Sequence, residues 1–264
     1  IGEEATPAVR RLFRVLLGGL MVGFSNASVS GKGRRYRVNW EERRVNPTCV
    51  LPTFADAVAA AIVEIGACAA RPMRQGTVLY GDSRKLLASI GPVDQITCSP
   101  PYPNSFDYTD VYNLELWMLG YLTSFDENRD LRQSTLSSHV QISREFAAAP
   151  RCRRLDKTMR ALRRAQESLW DDRIPAMVGA YFADLQGMMR TCAQLLPSKG
   201  QAWFVVGDSQ YAGIHVQVAK ILADLAPSAG LKVERTTPFR SMRVSPQQSG
   251  RHQLSEDLVV FSRP

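Results

Sequence analysis

Two rhythms of apolar positions run through the chain. Behind Thr6-Pro7, a capping residue followed by proline at the first helical position, Val9, Leu12, Phe13, Leu16, Leu17, Leu20 and Met21 recur at helical spacing, with Arg10, Arg11 and Arg14 off that stripe. Thr53 caps a second helical pattern reaching about Ala70, with Phe54, Val58, Ile62 and Ile65 on one side and Pro72 beyond it. Short apolar runs then predict buried strands over 77–80, 93–97, 202–206, 231–235 and 257–262. Around the strands, the pattern predicts helices over Arg84 to Ile90, Val111 to Leu122, Arg151 to Arg164, Ile174 to Leu196 and Gly213 to Leu225. The polar stretch Thr123 to Ser143 and the Arg-, Ser- and Gln-rich stretch Pro238 to Leu254 read as loops.

Strand, helix and strand follow one another over 76–97 as a βαβ arrangement, so the predicted fold class is α/β. The 264 residues suffice for one large domain or two small ones. Residues 1–75 read as an N-terminal helical and basic segment, 76–264 as the core, and 123–175 as a helical insertion or target-recognition region within it. Two of the strands end in Gly-Asp-Ser, at Gly81-Asp82-Ser83 and Gly207-Asp208-Ser209.

The richest stretch chemically is Thr97-Cys98-Ser99-Pro100-Pro101-Tyr102, at the carboxyl end of a predicted strand and followed by Asn104, Phe106, Asp107 and Tyr108. Two consecutive prolines fix φ at both positions and remove two backbone donors, and each pushes the residue before it away from the helical region. The product is a stiff corner that presents carbonyls, a hydroxyl and an aromatic face at the sheet edge where open α/β folds bind ligands. This corner resembles motif IV of the S-adenosylmethionine-dependent methyltransferases that act on amino groups of DNA bases. The Ser-Pro-Pro-Tyr form is typical of the enzymes that methylate N4 of cytosine, whereas the N6-adenine enzymes more often carry Asp or Asn first. The resemblance extends through Tyr108 and the helix from Leu114 to Leu122. It implies a Rossmann-like class I methyltransferase sheet with a helical insertion after the motif, and a restriction–modification setting.

The resemblance also implies roles. Ser99, Pro100, Pro101 and Tyr102 would be catalytic: the Ser99 hydroxyl and the Pro100 carbonyl accept hydrogen bonds from the target amine, and Tyr102 offers a face on which an extruded base stacks. An exocyclic amine conjugated with its ring is a poor nucleophile, and such acceptors favour a more tetrahedral nitrogen. Asp82, Ser83, Thr97 and Cys98 would line the S-adenosylmethionine side. Asp82 also suits a plain helix cap, and both roles are compatible.

Charge changes the picture in one respect. The net charge is +8, which favours a polyanionic partner such as DNA. From Lys32 to Arg44 there are six basic and two acidic residues, with Tyr36 and Trp40 interleaved, a mixture suited to phosphate contact and base stacking. Lys32, Arg34, Arg35, Tyr36, Arg37, Asn104, Arg240 and Arg243 are the candidate nucleic-acid residues, an exposed charged loop being the alternative for the first five. The basic run Arg151 to Arg164 suits a nucleic-acid backbone, and a solvated helix face at least as well. The five cysteines are scattered and the three histidines dispersed, so neither a disulfide framework nor a metal site is indicated. Reduced thiols fit a cytoplasmic protein. No run of membrane-spanning length is expected, Arg10, Arg11 and Arg14 interrupt any signal peptide, and a chain beginning at Ile1 reads as processed or truncated.

The acidic-x-Phe-x-Gly-x-Gly turn of the resembled family, which lets the backbone approach the methionine moiety of S-adenosylmethionine, is not found; Gly23-Phe24-Ser25-Asn26 is the nearest stretch. Five predicted strands stand against the family's seven. A sheet lacking its middle exposes unpaired edges, so a second polypeptide or a lost amino-terminal segment is expected to supply the glycine motif. An RNA amino-methyltransferase and a non-catalytic nucleic-acid-binding subunit with the same fold are the alternatives.

Overall fold

The computed structural model describes residues 5–30, 33–72, 76–242 and 254–264. The chain divides into two units, one of residues 1–78 with 108–131, the other of 79–107 with 132–264.

In the first unit, α1 (Pro7–Phe24) begins under a Thr6 cap and packs on α2 (Val50–Cys68), with Phe13 and Phe54 meeting edge to face at 5.7 Å. Strands β1 (Ala27–Ser30) and β2 (Gly33–Tyr36) form an antiparallel hairpin. Against the expectation for this stretch, Pro47–Cys68 is long and apolar enough to cross a membrane by length and composition alone, and none of it is buried. Leu51, Ile62, Val63 and Ile65 are all exposed. Beyond Tyr108 lie α4 (Tyr108–Val111), α5 (Asn113–Met118) and α6 (Phe125–Gln133). The last replaces part of the predicted loop over 123–143.

The second unit carries the core. α3 (Ser83–Leu86) starts at an Asp82 cap and leads to β3 (Gln95–Cys98). α7 (Arg153–Arg164) and α8 (Ile174–Leu195) follow, then β4 (Gln201–Gly207), the hairpin β5 (Ser209–Tyr211) and β6 (Ile214–Val216), α9 (Val218–Leu225), β7 (Lys232–Met242) and β8 (Leu254–Ser262). The sheet order is β3-β4-β8-β7. β3 and β4 are parallel, while β8 runs antiparallel to both β4 and β7. The fold is α/β with a mixed sheet, the class expected, although the βαβ unit read over 76–97 does not form, because its first strand is not among the described strands. α8 is apolar almost all round, which suits a helix buried on the sheet: Met177, Tyr181, Phe182, Leu185 and Met189 join Phe204, Ile221, Leu222 and Phe261 in one core. Each such side chain contributes on the order of 2 kcal/mol through burial.

Three expectations are corrected here. Residues 76–80 form no strand; Val78 is 93% and Tyr80 95% exposed. An apolar run makes a strand only where a neighbour supplies the ladder, and among the described residues none does. The helix expected from Gly213 begins at Val218, because Ile214–Val216 pairs back on Ser209–Tyr211. The loop expected from Pro238 is strand as far as Met242; β7 is the sheet's edge, with register irregularities beside Pro238, so the missing proline donor is tolerated. Among the described residues β3 is paired on one side only.

Candidate active site

Ser99 to Tyr102 leave the carboxyl end of β3 as an extended corner, with Ser99 exposed, Pro100 buried, and Pro101 and Tyr102 partly covered. The segment is fastened from several directions. Tyr211 Oη donates to the Pro103 carbonyl at 2.7 Å, from full burial that pushes its phenol pKa far up. Asn104 Oδ1 accepts from Phe106 N at 3.1 Å. Ser105 sits at φ +61°, a conformation few side-chain-bearing residues adopt. It is held there by Ser138 and Gln141 on its backbone, at 3.0 and 2.6 Å, and by Val140 N on its hydroxyl at 3.2 Å.

The Tyr102 phenol donates to Glu256 Oε1 on β8, and its oxygen lies 3.4 Å from Ser99 Oγ. Glu256 is 3% exposed and ion-paired with Arg240 of β7. The Tyr102 ring lies over Gly207, at the carboxyl end of β4. Next to it, Asp208 accepts from Val218 N at 2.8 Å, closing the start of α9, and meets His215 Nε2 at 2.6 Å. Glu256, Gly207 and Asp208 went unread as site residues in the sequence; the second Gly-Asp-Ser strand end was the one signal that pointed near them.

The remaining candidates are scattered. Asp82 is occupied by Arg84, which donates to both its oxygens at 3.0 and 2.9 Å and holds the carboxylate below its ordinary pKa. Ser83 opens α3 and is exposed. Thr97 is exposed on β3, whereas Cys98 packs toward the core, where burial pushes its thiol up to about 12. Arg37 donates to the Ala27 and Val22 carbonyls at 2.8 and 2.6 Å, and so serves the end of α1. Arg34 binds Asp110 through its backbone nitrogen at 3.3 Å and Asn113 through its guanidinium at 3.4 Å. Arg35 is exposed, and Tyr36 stacks on Trp40 at 5.3 Å. Asn104 is exposed beside the corner, Arg240 is committed to Glu256, and Lys32 and Arg243 lie outside the described residues.

A strand-end corner of hydroxyl, diproline and aromatic ring is thus assembled in the second unit. The comparisons bear on what it serves. The type II methyltransferase M.AvaI, from Nostoc sp. and from Anabaena variabilis, is 34% identical over 190 residues, covering 65% of this chain. M.BsoBI from Geobacillus stearothermophilus is 24% identical over 199 residues. Over these stretches the chain is similar to type II methyltransferases. It spans 38% of the length of these methyltransferases. No family model matches it. A solved putative DNA modification methylase from Thermus thermophilus aligns with 70% of this chain and 52% of its own, at TM-score 0.35 and 16% identity.

Proposed function

We propose that this chain carries the base-binding side of a DNA amino-methyltransferase, and that the Ser99–Tyr102 corner holds the exocyclic amine of an extruded base, with N4 of cytosine as the first choice. The observation that carries this reading is the corner itself. A rigid diproline turn at a parallel strand's carboxyl end exposes the Ser99 hydroxyl and sets the Tyr102 ring beside it, within a chain similar to type II methyltransferases. The Ser99 oxygen and the Pro100 carbonyl accept the amine hydrogens and draw the nitrogen lone pair out of conjugation. The Tyr102 ring stacks on the base, which must leave the duplex to be reached. When bound, S-adenosylmethionine would supply the methyl group, leaving as a neutral thioether while the amine's surplus proton passes to solvent, so that direct displacement needs mainly alignment.

The cofactor side belongs to another part of the assembly. β3 offers an unpaired edge among the described residues, and the exposed apolar run Val78-Leu79-Tyr80 finds no strand partner there. Both suit added strands that bring the missing glycine turn, from a second polypeptide or from further sequence.

Tyr102→Ala tests the reading in the assembled enzyme, with transfer to cytosine- and adenine-containing duplexes and to structured RNA measured side by side. Loss of transfer by about a hundredfold or more is expected, with cytosine N4 as the product. Unchanged activity would refute the corner's role, and preference for RNA would move the substrate class.

A further inference from the structure

We propose that Glu256 is a positioning residue that sets the hydrogen-bond polarity of the corner, an inference that rests on the function proposed above. The argument begins with donor and acceptor inventory. An ionised carboxylate only accepts, and a phenol has one hydrogen. Glu256 is 3% exposed, and Arg240 opposite it in the β7–β8 register pairs with its carboxylate from the solvent side. The Tyr102 hydrogen is therefore committed to Glu256. In the 3.4 Å contact between Tyr102 Oη and Ser99 Oγ, the phenol oxygen can then only accept, so Ser99 donates. With its own hydrogen directed at the phenol, the Ser99 oxygen keeps its lone pairs facing outward as acceptors. An amine bearing two hydrogens needs that orientation. A Ser99 hydroxyl turned the other way would offer a hydrogen to a nitrogen that must instead lose electron density to the incoming carbon.

The same contact fixes the ring. Glu256 lies opposite Gly207 in the β4–β8 register, so one strand pair supplies both the surface under the Tyr102 ring and the acceptor for its phenol. Tyr102 is held at its hydroxyl end by Glu256 and along one edge of the ring by Gly207, while the diproline fixes its backbone. Arg240, with a side chain 68% exposed, holds Glu256 from the solvent side.

The test has a readout besides catalysis. 3-Fluorotyrosine is placed at position 102 of the full chain, with and without Glu256→Gln, and the fluorine resonance is followed against pH. Removing the carboxylate should move the resonance and let the phenol ionise at lower pH; an unmoved resonance and titration would overturn the proposal. Should the buried Glu256→Gln variant fail to fold, Arg240→Gln, at an exposed position, reads the same signal in the opposite sense: with a cation lost beside the pair, the phenol should ionise at higher pH. In the assembled enzyme, Glu256→Gln and Tyr102→Phe should each lower kcat about tenfold with KM for DNA little changed, the double variant being no worse than Tyr102→Phe alone. Additive losses would overturn the coupling. A wild-type assembly that transfers no methyl group, with the fluorine response intact, would overturn the function and leave the Glu256 contact standing.

Discussion

The ring of Tyr102 lies against Gly207 so closely that a Cβ there would sit 2.6 Å from Cδ2 and 2.7 Å from Cε2. Neither atom can retreat easily, because the phenol is tied to Glu256 and the backbone to the diproline. Gly207→Ala is therefore expected to displace the ring rather than disturb the strand. It should cost about 1–3 kcal/mol of stability by overpacking and lower methyl transfer by more than about tenfold. Urea unfolding together with transfer assays checks both. Full activity in a stable Gly207→Ala variant would mean that the ring need not be held there.

His139 gives a pH dependence with a definite sign. It is 1% exposed, and Arg144 donates to its Nε2 at 2.9 Å, so that nitrogen must accept and the ring is neutral. The 3.8 Å approach of Nδ1 to Asp107 is accordingly not an ion pair. Burial is the main cause of a pKa lowered from 6.5 to about 4; Asp107 opposes it, and Arg144 and Arg132 add to it. The unfolded chain takes up a proton below pH 6.5 while the folded one does not, so this group's stability contribution is whole above about 6.5 and drains away as the pH falls toward 4. The loss approaches an order of 3 kcal/mol. Unfolding free energies measured from about pH 7 to about pH 4.5 should fall more steeply for the wild type than for His139→Gln. Parallel slopes would remove His139 as the cause.

Arg84 joins three groups of the second unit: Asp82, Asp184 at 3.0 Å and the Ser134 carbonyl at 2.7 Å. Lysine keeps the charge but not the fork that serves them together. Arg84→Lys should destabilise by about 2 kcal/mol. Arg84→Ala should also remove the acid-side slope that Asp82 contributes. That contribution is present above the ordinary carboxylate value of 3.8 and is lost as the pH drops through the lower folded one. Chemical denaturation at about pH 7 and about pH 3 checks both statements.

Much of the second unit was legible in the sequence. Residues 202–206 are a continuous apolar run closed by Gly207, and they lie within β4, which is flanked by β3 and β8 and packs Ala202, Phe204 and Val206 into the core. Residues 76–80 carry the same signal without the outcome, since local pattern records what a segment can bury and not whether a neighbour is there. α6 was missed for its polarity, though its start was written in Ser124 and Glu127: Ser124 Oγ accepts from Glu127 N at 3.2 Å and Glu127 returns to Thr123 N at 2.7 Å. At the site, the diproline corner announces itself because its residues are contiguous. Glu256 stands 154 positions from Tyr102, and no spacing rule reaches across that interval.

β8 runs against both of its neighbours, and that direction decides which of its residues meets the corner. Position 256 lies near the beginning of its strand, yet it stands level with Gly207, where β4 finishes. Laid the other way, the same strand would bring its closing residue, Ser262, level with Gly207 and leave the acid at the far rim. The orientation of a single ribbon thus decides whether a carboxylate or a serine hydroxyl faces the phenol, a choice made by topology before any side chain is selected.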